Sequence, residues 1–591
     1  MATIAASEAS TGSKTMADMV VLAAEKHADR VAIKHKVGDE WRDVTYAEAC
    51  TAAKEIALGL IDLGIQPGEK VSILSHTRPE WTYADFGIMT AGATQVSIYQ
   101  TNSPQECHYV LEHSESKAVF VEDAEQLEKV RQIRSDLPNL EHIVIFEGGD
   151  QDDAISLESL RERGRGRDEA EYEQRVAAVG PDDICVIIYT SGTTGPPKGC
   201  LLTHGNYRSI TNMIESEGTF TTDDVTYLFL PLAHAFALLV QFASFDLGGC
   251  IAYWEKDAQK IVPNLMEVKP TYFPSVPRMF EKIYTLATSS VDDPAKLEQA
   301  VELGVKVRQL QIAGKEVPAE LQGPFDQAEE QLYQNVRNIF GGRIRQCVTG
   351  AAPIAPDILK FFFACGVPVM EGYGMTETAT AATINTPDDF RFGSVGRPLN
   401  GLEAKLAEDG ELLLRGPNIF KAYYKNEDAT AETLEDGWLH TGDLAKIEDN
   451  FIYIVGRKKD IIITAGGKNI TPANLENGLK QNRWISQAVV IGDRRPYLVA
   501  LITLDPDEAP QLAERLGVSV EDLPESPDAR AEVQTVVDQV NSTVGPVEQI
   551  KKFKILPADL SQEGGELTPT LKVKRNVVAE KYAGEIDALY G

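Results

Sequence analysis

No two cysteines in this sequence stand at C-x-x-C spacing. The seven (Cys50, Cys107, Cys185, Cys200, Cys250, Cys347 and Cys365) are scattered and odd in number. That argues against a disulfide framework or a zinc site and for reduced thiols in a cytoplasmic protein. No uninterrupted apolar run is long enough to cross a bilayer. The nearest, "AHAFALLVQFASFDLGGCIAYW" at 233–254, is broken by His234, Gln241, Asp246 and the Gly248–Gly249 turn. It reads as a buried helix followed by a strand, so no transmembrane segment is expected. The N-terminal "MATIAASEASTGSK" lacks the apolar stretch of a signal peptide and reads as a loose tail. Positive charge is also in short supply. Lysine and arginine number 57 against 89 acids, a net charge of −32. Such a surface repels nucleic acid and anionic lipid, so nucleic acid is excluded as a non-specific partner. An anionic small molecule would need a locally basic pocket. A peripheral association with membrane stays open, although this surface argues against electrostatic docking.

What is present is a globular composition, 43% hydrophobic and 25% charged, in 591 residues. A chain of that length divides into two to four domains or subdomains. Strand-like and helix-like stretches alternate: "KVSILS" (70–75), then "EWTYADFGIMTAGA", then "TQVSIY". "KAVFVED", "AEQLEKVRQIRSDL" and "HIVIFE" repeat the rhythm, which predicts α/β layers with a largely parallel sheet. Residues 149–183 read as a surface helix and loop, and residues 285–336 as a charged helical insertion packed on a core. After about residue 400 the texture changes. "AKLAEDGELLLRG" and "NFIYIVG" are short strands with tight turns, as in a small antiparallel, barrel-like sheet. The tail then reads strand (461–464), helix (473–481), hairpin, helix (528–542), strand (552–556) and a last helix (573–589). It is long enough for an independent α+β domain. The expected division is a large domain over 1–456, a hinge at 457–460 and a small mobile domain over 461–591.

Between the apolar "ICVIIY" and Cys200 stands "YTSGTTGPPKG" (189–199). Glycines permit unusual backbone angles and leave N–H groups free to point inward. Hydroxyls from Ser191, Thr193 and Thr194 and the charge of Lys198 complete the parts of a phosphate cradle. The usual P-loop, G-x-x-x-x-G-K-[ST], is not matched: Pro197 stands five positions after Gly192, and Gly199 follows Lys198. "GYGMTE" likewise fails as a dinucleotide fingerprint, because Glu377 replaces the third glycine.

Further unusual segments are "PLAHAF" (231–236), "VTGAAPI" (348–354), "EGYGMTET" (371–378), "DGWLHTGDLA" (436–445), "GRKKDIIITAGGKNI" (456–470) and "LTPTLKVKR" (567–575). With the glycine-threonine loop they resemble, in order and along nearly the whole chain, the adenylate-forming (AMP-binding) acyl-CoA synthetase family. The stretch from "DGWLHTGD" to "GRKKDIIIT", the helical insertion and the length are most similar to bacterial long-chain fatty-acid–CoA ligases.

The resemblance implies a two-step reaction using ATP, Mg²⁺ and coenzyme A, with a small C-terminal domain rotating between the steps. It implies that Thr190, Ser191, Gly192, Thr193, Thr194, Gly195 and Lys198 hold the triphosphate. Gly350, Ala351, Ala352, Gly372, Tyr373, Gly374, Met375 and Thr376 would surround the nucleotide, Tyr373 stacking on adenine. Asp443 would accept the ribose hydroxyls, as an ionised carboxylate can do bidentately, and Arg457 would reach the ribose or phosphate. Glu377, with Thr190 nearby, would bind the metal, a hard cation that prefers oxygen. Lys572 would swing in to offset negative charge during adenylation. His234 and Gly350 would line the acyl channel, Gly466 and Gly467 would face coenzyme A, and Lys459 would mark the hinge. Lys458 reads as part of a solvated basic turn. No histidine base or nucleophilic cysteine is needed, since the substrates supply both nucleophiles.

The reading is therefore an ATP-dependent ligase converting a fatty acid, of long-chain type, to acyl-CoA. An acyl-AMP ligase serving a carrier protein, a luciferase-like oxygenase and a non-catalytic acyl- or nucleotide-binding regulator remain alternatives. Chain length of the acid and oligomeric state have no linear signature.

Overall fold

The computed structural model describes residues 4–190, 196–288, 291, 293–465, 468–568 and 572–591. Two large sheets dominate residues before 400. One has nine strands, whose inner members Val369–Tyr373, Gln346–Thr349, Tyr272–Ser275, Val225–Leu228 and Cys250–Tyr253 run parallel. The other has eight, with Ile184–Thr190, Thr94–Ile98, Lys70–Leu74, Ala118–Val121 and His142–Ile145 parallel at its centre. Their sequences are continuous apolar runs because both faces are covered, the mark of parallel strands. Side chains of both sheets share one buried cluster with the helices Met16–His27, Pro79–Thr90 and Ala235–Leu247, which therefore fill the space between them.

The expected strands and helices between 70 and 145 all form, the strands within two residues of their predicted ends, while the two helices stop early, at Thr90 and Ile133. The run at 233–254 is the buried helix Ala235–Leu247 and the strand Cys250–Tyr253, as read. Among the described residues no helix is long and apolar enough to cross a membrane. The helical stretch after Ser275 comprises Pro277–Thr288, Pro294–Ile312, Ala319–Ala328 and Gln334–Ile339. It packs through Phe280, Val307, Phe325 and Val336 on a second, aromatic-rich cluster.

Beyond residue 400 comes a five-stranded antiparallel sheet that includes Glu411–Arg415, Trp438–Glu448 and Phe451–Arg457. After the turn Lys458–Asp460 a separate three-stranded sheet follows: Ile485–Ile491 and Leu498–Leu504 form the expected hairpin, and Ile550–Ile555 pairs parallel to it. Alternate residues divide its faces. Ala488, Val490, Ala500 and Ile502 pack under Pro472–Lys480 and Pro527–Ser542, while Val489 and Leu501 pack under the C-terminal helices. This is the period-two pattern of a sheet covered on both sides. Two details differ from expectation. The helix Ala509–Leu516 was not foreseen, and the last helix is broken at Tyr582 into Arg575–Lys581 and Ala583–Tyr590. Among the described residues, no sheet and no apolar cluster includes members from both sides of 457–460.

The loose N-terminal tail is the clearest correction. Asp246 is fully buried in the apolar helix, and a buried carboxylate needs charge and donors. Arg208 supplies two bonds, at 2.8 and 2.6 Å, and the segment Ser10–Thr11 supplies hydroxyls at 2.8 and 2.5 Å. Arg208 in turn donates to Ser13 Oγ, and Thr15 caps the first helix. The small polar residues that look like a tail are the partners of a buried ion pair. Burial alone would raise the Asp246 pKa, but Arg208 and the hydroxyls outweigh it and hold the carboxyl below its usual range. Because the folded value is depressed, the pair's contribution is present above the unfolded carboxylate value and fades as pH falls through the folded one. Arg208→Ala strands the carboxylate and is expected to cost about 3–5 kcal/mol. Thermal and denaturant unfolding at neutral pH measure this, and the difference from wild type should shrink in acid.

Candidate active site

The site is assembled at the ends of strands. The antiparallel pairing of Ile184–Thr190 with Lys198–Thr203 sets Thr190 opposite Lys198. Ser191, Gly192, Thr193, Thr194 and Gly195, expected to cradle phosphate, lie outside the described residues. So do Gly466 and Gly467, the expected coenzyme A-facing glycines. Lys198 Nζ stands 4.9 Å from the ring centre of Tyr423, whose hydroxyl donates to Glu377 Oε1 at 2.6 Å. Glu377 is buried at 6% exposure, and its backbone carbonyl accepts from Phe420 N–H. Thus Lys198 and Glu377, far apart in sequence, share Tyr423, a residue with no local signal.

The strands Gln346–Thr349 and Val369–Tyr373 are neighbours and end in the next elements of the site. A Cβ on Gly350 would lie 3.1 Å from the Gly372 carbonyl oxygen, so two glycines keep adjacent backbones open. Ala351 follows at φ +68°, and Ala351 and Ala352 are exposed. The loop from Gly372 to Met375 then turns sharply through Thr376–Thr378. A Cβ on Gly374 would stand 1.8 Å from the Thr380 carbonyl oxygen, so only glycine fits there. Ala379 and Thr380 hold φ of +47° and +98°, and a β-branched residue at positive φ is a strained position of the kind found at functional sites. The turn is fastened by Met375 N–H donating to Thr378 Oγ1 at 3.0 Å.

Asp443 and Arg457 face each other as register partners of the antiparallel pair Trp438–Glu448 and Phe451–Arg457. Arg457 Nε lies 3.1 Å from Asp443 Oδ1, and Tyr373 donates its hydroxyl to Asp443 Oδ2 at 2.6 Å. Thr441 Oγ1 accepts the Asp443 N–H at 3.1 Å, and Glu411 accepts the Gly442 N–H at 2.8 Å. Glu411 escaped sequence reading because its partner Gly442 lies on another strand, 31 residues away. Lys458 is not simply solvated: it pairs with Asp409 at 2.5 Å and Glu411 at 3.2 Å. Lys459 lies in the short turn Lys458–Asp460.

Lys572 comes from the other side of that turn. Its N–H donates to Thr568 Oγ1 at 3.0 Å and its carbonyl accepts from Thr568 N–H at 2.8 Å, beside a Leu567–Val573 bridge. Its side chain reaches water, while the surrounding protein partly desolvates the ammonium. Burial lowers its pKa first and Arg457 lowers it further, while Asp443 and Glu377 act the other way. The structure therefore gathers Glu377, Asp443, Arg457 and Lys572 around one space.

His234 caps the helix Ala235–Leu247: its Nδ1 accepts the Phe236 N–H at 3.2 Å, which leaves the neutral ring's proton on Nε2. Burial, then the charge of Lys572, push its pKa down to about 4. Six of the seven cysteines are buried, and burial raises the Cys200 thiol, next to Glu377, well above its usual value. That is the opposite of a reactive thiolate. Among the described residues no group of three or more His, Cys, Asp or Glu side chains could hold a metal alone. A cation at Glu377 would need oxygens from a phosphate substrate and water, which suits Mg²⁺.

The proximity of Lys572 to His234 can be measured. Imidazole NMR, assigned with His234→Gln, should place the His234 midpoint near 4, and Lys572→Met should move it upward by removing the nearby charge.

Comparison with known proteins places the chain in a family. Residues 21–424 match the AMP-binding enzyme family, and residues 459–591 match the AMP-binding enzyme C-terminal domain. Among curated relatives, the long-chain-fatty-acid–CoA ligase FadD15 of Mycobacterium tuberculosis is 39% identical over 95% of this chain and 94% of its own length. The long-chain-fatty-acid–CoA ligase ACSBG1 of Homo sapiens is 32% identical over 98% of this chain and 85% of its own. Among solved structures, the anthranilate CoA ligase AuaEII in complex with anthranoyl-AMP aligns with a TM-score of 0.75 at 23% identity, covering 97% of this chain and 98% of that one. At that identity the likeness is one of fold. With a family match over more than half its length and full-length relatives above 30% identity, the chain belongs to the AMP-binding enzyme family.

Proposed function

We propose that this chain is an ATP-dependent long-chain fatty-acid–CoA ligase. In the first step a carboxylate oxygen of the fatty acid attacks the α-phosphorus of ATP. The bond from that phosphorus to the bridging oxygen breaks, and pyrophosphate leaves. In the second step the sulfur of coenzyme A attacks the acyl carbonyl, the bond to AMP breaks, and AMP departs as the thiol proton is lost to solvent. The observation that carries the reading is the cluster of Tyr373, Asp443 and Arg457, with Glu377 held by Tyr423, whose charges Lys572 feels. A cation held there faces the point where two anions must meet, and charge placed in advance of the reaction is an effective form of catalysis. The relatives FadD15 and ACSBG1 are both long-chain-fatty-acid–CoA ligases, which supports the substrate class.

In this reading Asp443 and Arg457 hold the ribose and phosphate, Tyr373 lies along the adenine, and Thr190 to Lys198 enclose the outer phosphates. Gly350 and His234 border the acyl entrance, where a neutral imidazole adds no competing charge. Mg²⁺, held by Glu377 with Thr190 nearby, would neutralise phosphate charge when bound. Residues 461–591 act as a small domain that turns on 457–460, with Lys459 at the pivot and Gly466 and Gly467 presented to coenzyme A for the second step.

A mass-spectrometric product assay with Mg·ATP and acids from acetate to long-chain, with and without coenzyme A, tests the function. Acyl-CoA and AMP formed only with coenzyme A are expected. Acyl-AMP that accumulates regardless would instead mark a donor to a carrier protein. Lys572→Ala is expected to slow adenylation roughly 10²–10³-fold while preformed acyl-AMP is still converted to acyl-CoA. Equal loss of both steps would contradict the role.

A further inference from the structure

Among the described residues, those that carry Lys572 share no sheet and no apolar cluster with the body that carries Tyr373, Asp443 and Glu377. Their register on that body must then be set by polar contacts. Among the described residues, two ion pairs span the two parts, and both start from one helix, Pro277–Thr288. Arg278 pairs with Asp505, and Lys282 Nζ lies 2.6 Å from Asp507 Oδ2.

We propose that Arg278 and Asp505 are positioning residues: a latch that seats Lys572 over the cleft, with Lys282–Asp507 as a weaker second contact. The proposal rests on the ligase reading above for what the seated lysine does.

Both halves of the latch are built on rigid supports. Phe280 and Ile283 of the helix are fully buried. The Phe280 ring lies 5.9 Å from Phe273 and 5.8 Å from Phe362. Phe273 belongs to Tyr272–Ser275, which pairs with Gln346–Thr349, the strand leading into Gly350. Residues 278, 281 and 282 occupy the opposite face of the helix, as helical spacing requires. The latch is thereby tied to the strands that shape the cleft.

Asp505 is equally fixed. It follows the strand Leu498–Leu504, and its N–H donates to the Trp484 carbonyl at 2.9 Å. Its Oδ1 accepts the Asp507 N–H at 2.9 Å, which leaves Oδ2 turned toward Arg278. The Asp505 side chain is only 6% exposed, whereas Lys282 and Asp507 are 50% and 69% exposed. Exposed pairs contribute little, so Arg278–Asp505 carries most of the effect. Glu281, 3.5 Å from Arg278, also feels Lys480 of the tail.

The test uses the full-length protein with Arg278→Asp, and with the swap of Arg278→Asp and Asp505→Arg. Three quantities are read: acid-dependent ATP–pyrophosphate exchange, conversion of preformed acyl-AMP to acyl-CoA, and the His234 titration midpoint. Two carboxylates facing each other should slow the exchange about tenfold or more while the second step is unchanged, and the swap should restore exchange. Wild-type exchange in Arg278→Asp overturns the latch, as does parallel loss of both steps that the swap fails to restore. The His234 midpoint separates this idea from the ligase reading, because it needs no turnover. If wild type shows no exchange with any acid, the ligase reading fails. The latch then still stands if Arg278→Asp raises the midpoint, and falls if the midpoint is unmoved.

Discussion

The cross-strand pair of Asp443 and Arg457 is the contact on which the rest of the site depends. It occupies the last rungs of an antiparallel ladder, immediately before the turn at Lys458–Asp460. The same two residues therefore face the cleft and define where the following chain departs. Tyr373 adds the third corner through its hydroxyl, so that the strand Val369–Tyr373 of the nine-stranded sheet and the five-stranded sheet are locked together by one carboxylate. A carboxyl group buried at 4% exposure is tolerable only with such partners. Having met that requirement, it offers fixed oxygen geometry to whatever enters the cleft.

How much of this was legible depended on whether the determining contacts were local. The βα rhythm before residue 150, the buried helix at 233–254 and the hairpin of the tail are set by side-chain periodicity and turn residues, which a linear reading captures. The pairing of Asp443 with Arg457 is implicit in two strands joined by a tight turn. The role of Tyr423 is not, because its partners come from elsewhere in the chain, Glu377 from the turn Thr376–Thr378 and Lys198 from another strand. The N-terminal segment was misread for a related reason. Ser10, Thr11 and Ser13 have the composition of a loose tail, and only the buried Asp246–Arg208 pair, more than 190 residues away, gives them a purpose. Sequence identified most of the residues that face the cleft. It gave little sign of those that hold them still.

The charge distribution explains how an acidic protein can serve acidic substrates. A net charge of −32 would oppose the approach of ATP, a fatty acid and coenzyme A alike. Lys572 lies within reach of the charges of Arg457 and Glu377, and Lys198 lies beside Tyr423, the partner of Glu377; protein of low polarizability strengthens such fields relative to those of the surface. Each is set beside an acid or an aromatic ring that fixes its direction: Asp443 for Arg457, Tyr423 for Lys198. Burial first and Arg457 second disfavour the Lys572 ammonium, and Asp443 and Glu377 offset them only in part, so further negative charge beside it would stabilise it. An anionic substrate would supply that charge. The site is thus incomplete electrostatically until it is filled, which favours substrate without requiring a basic surface.

The polar, narrow contact between the two parts of the chain follows from what the proposed reaction demands. A lysine needed for only one of two steps must be able to leave. An apolar contact of about 200 Å² would add about 5 kcal/mol at roughly 25 cal/mol per Å². A bias of that size holds one arrangement by nearly 10⁴, beyond what exchanging pyrophosphate for coenzyme A could readily reverse. Ion pairs at the rim are worth about 1 kcal/mol or less, a bias of only severalfold. They also specify direction, because a charged pair has one good geometry where an apolar face has many. Placing the two ion pairs on one side of the helix Pro277–Thr288, whose other side is sunk in an aromatic cluster, gives a firm seat with a weak grip. Precision then comes from the rigid supports of Arg278 and Asp505, and reversibility from the small energy of the bond between them.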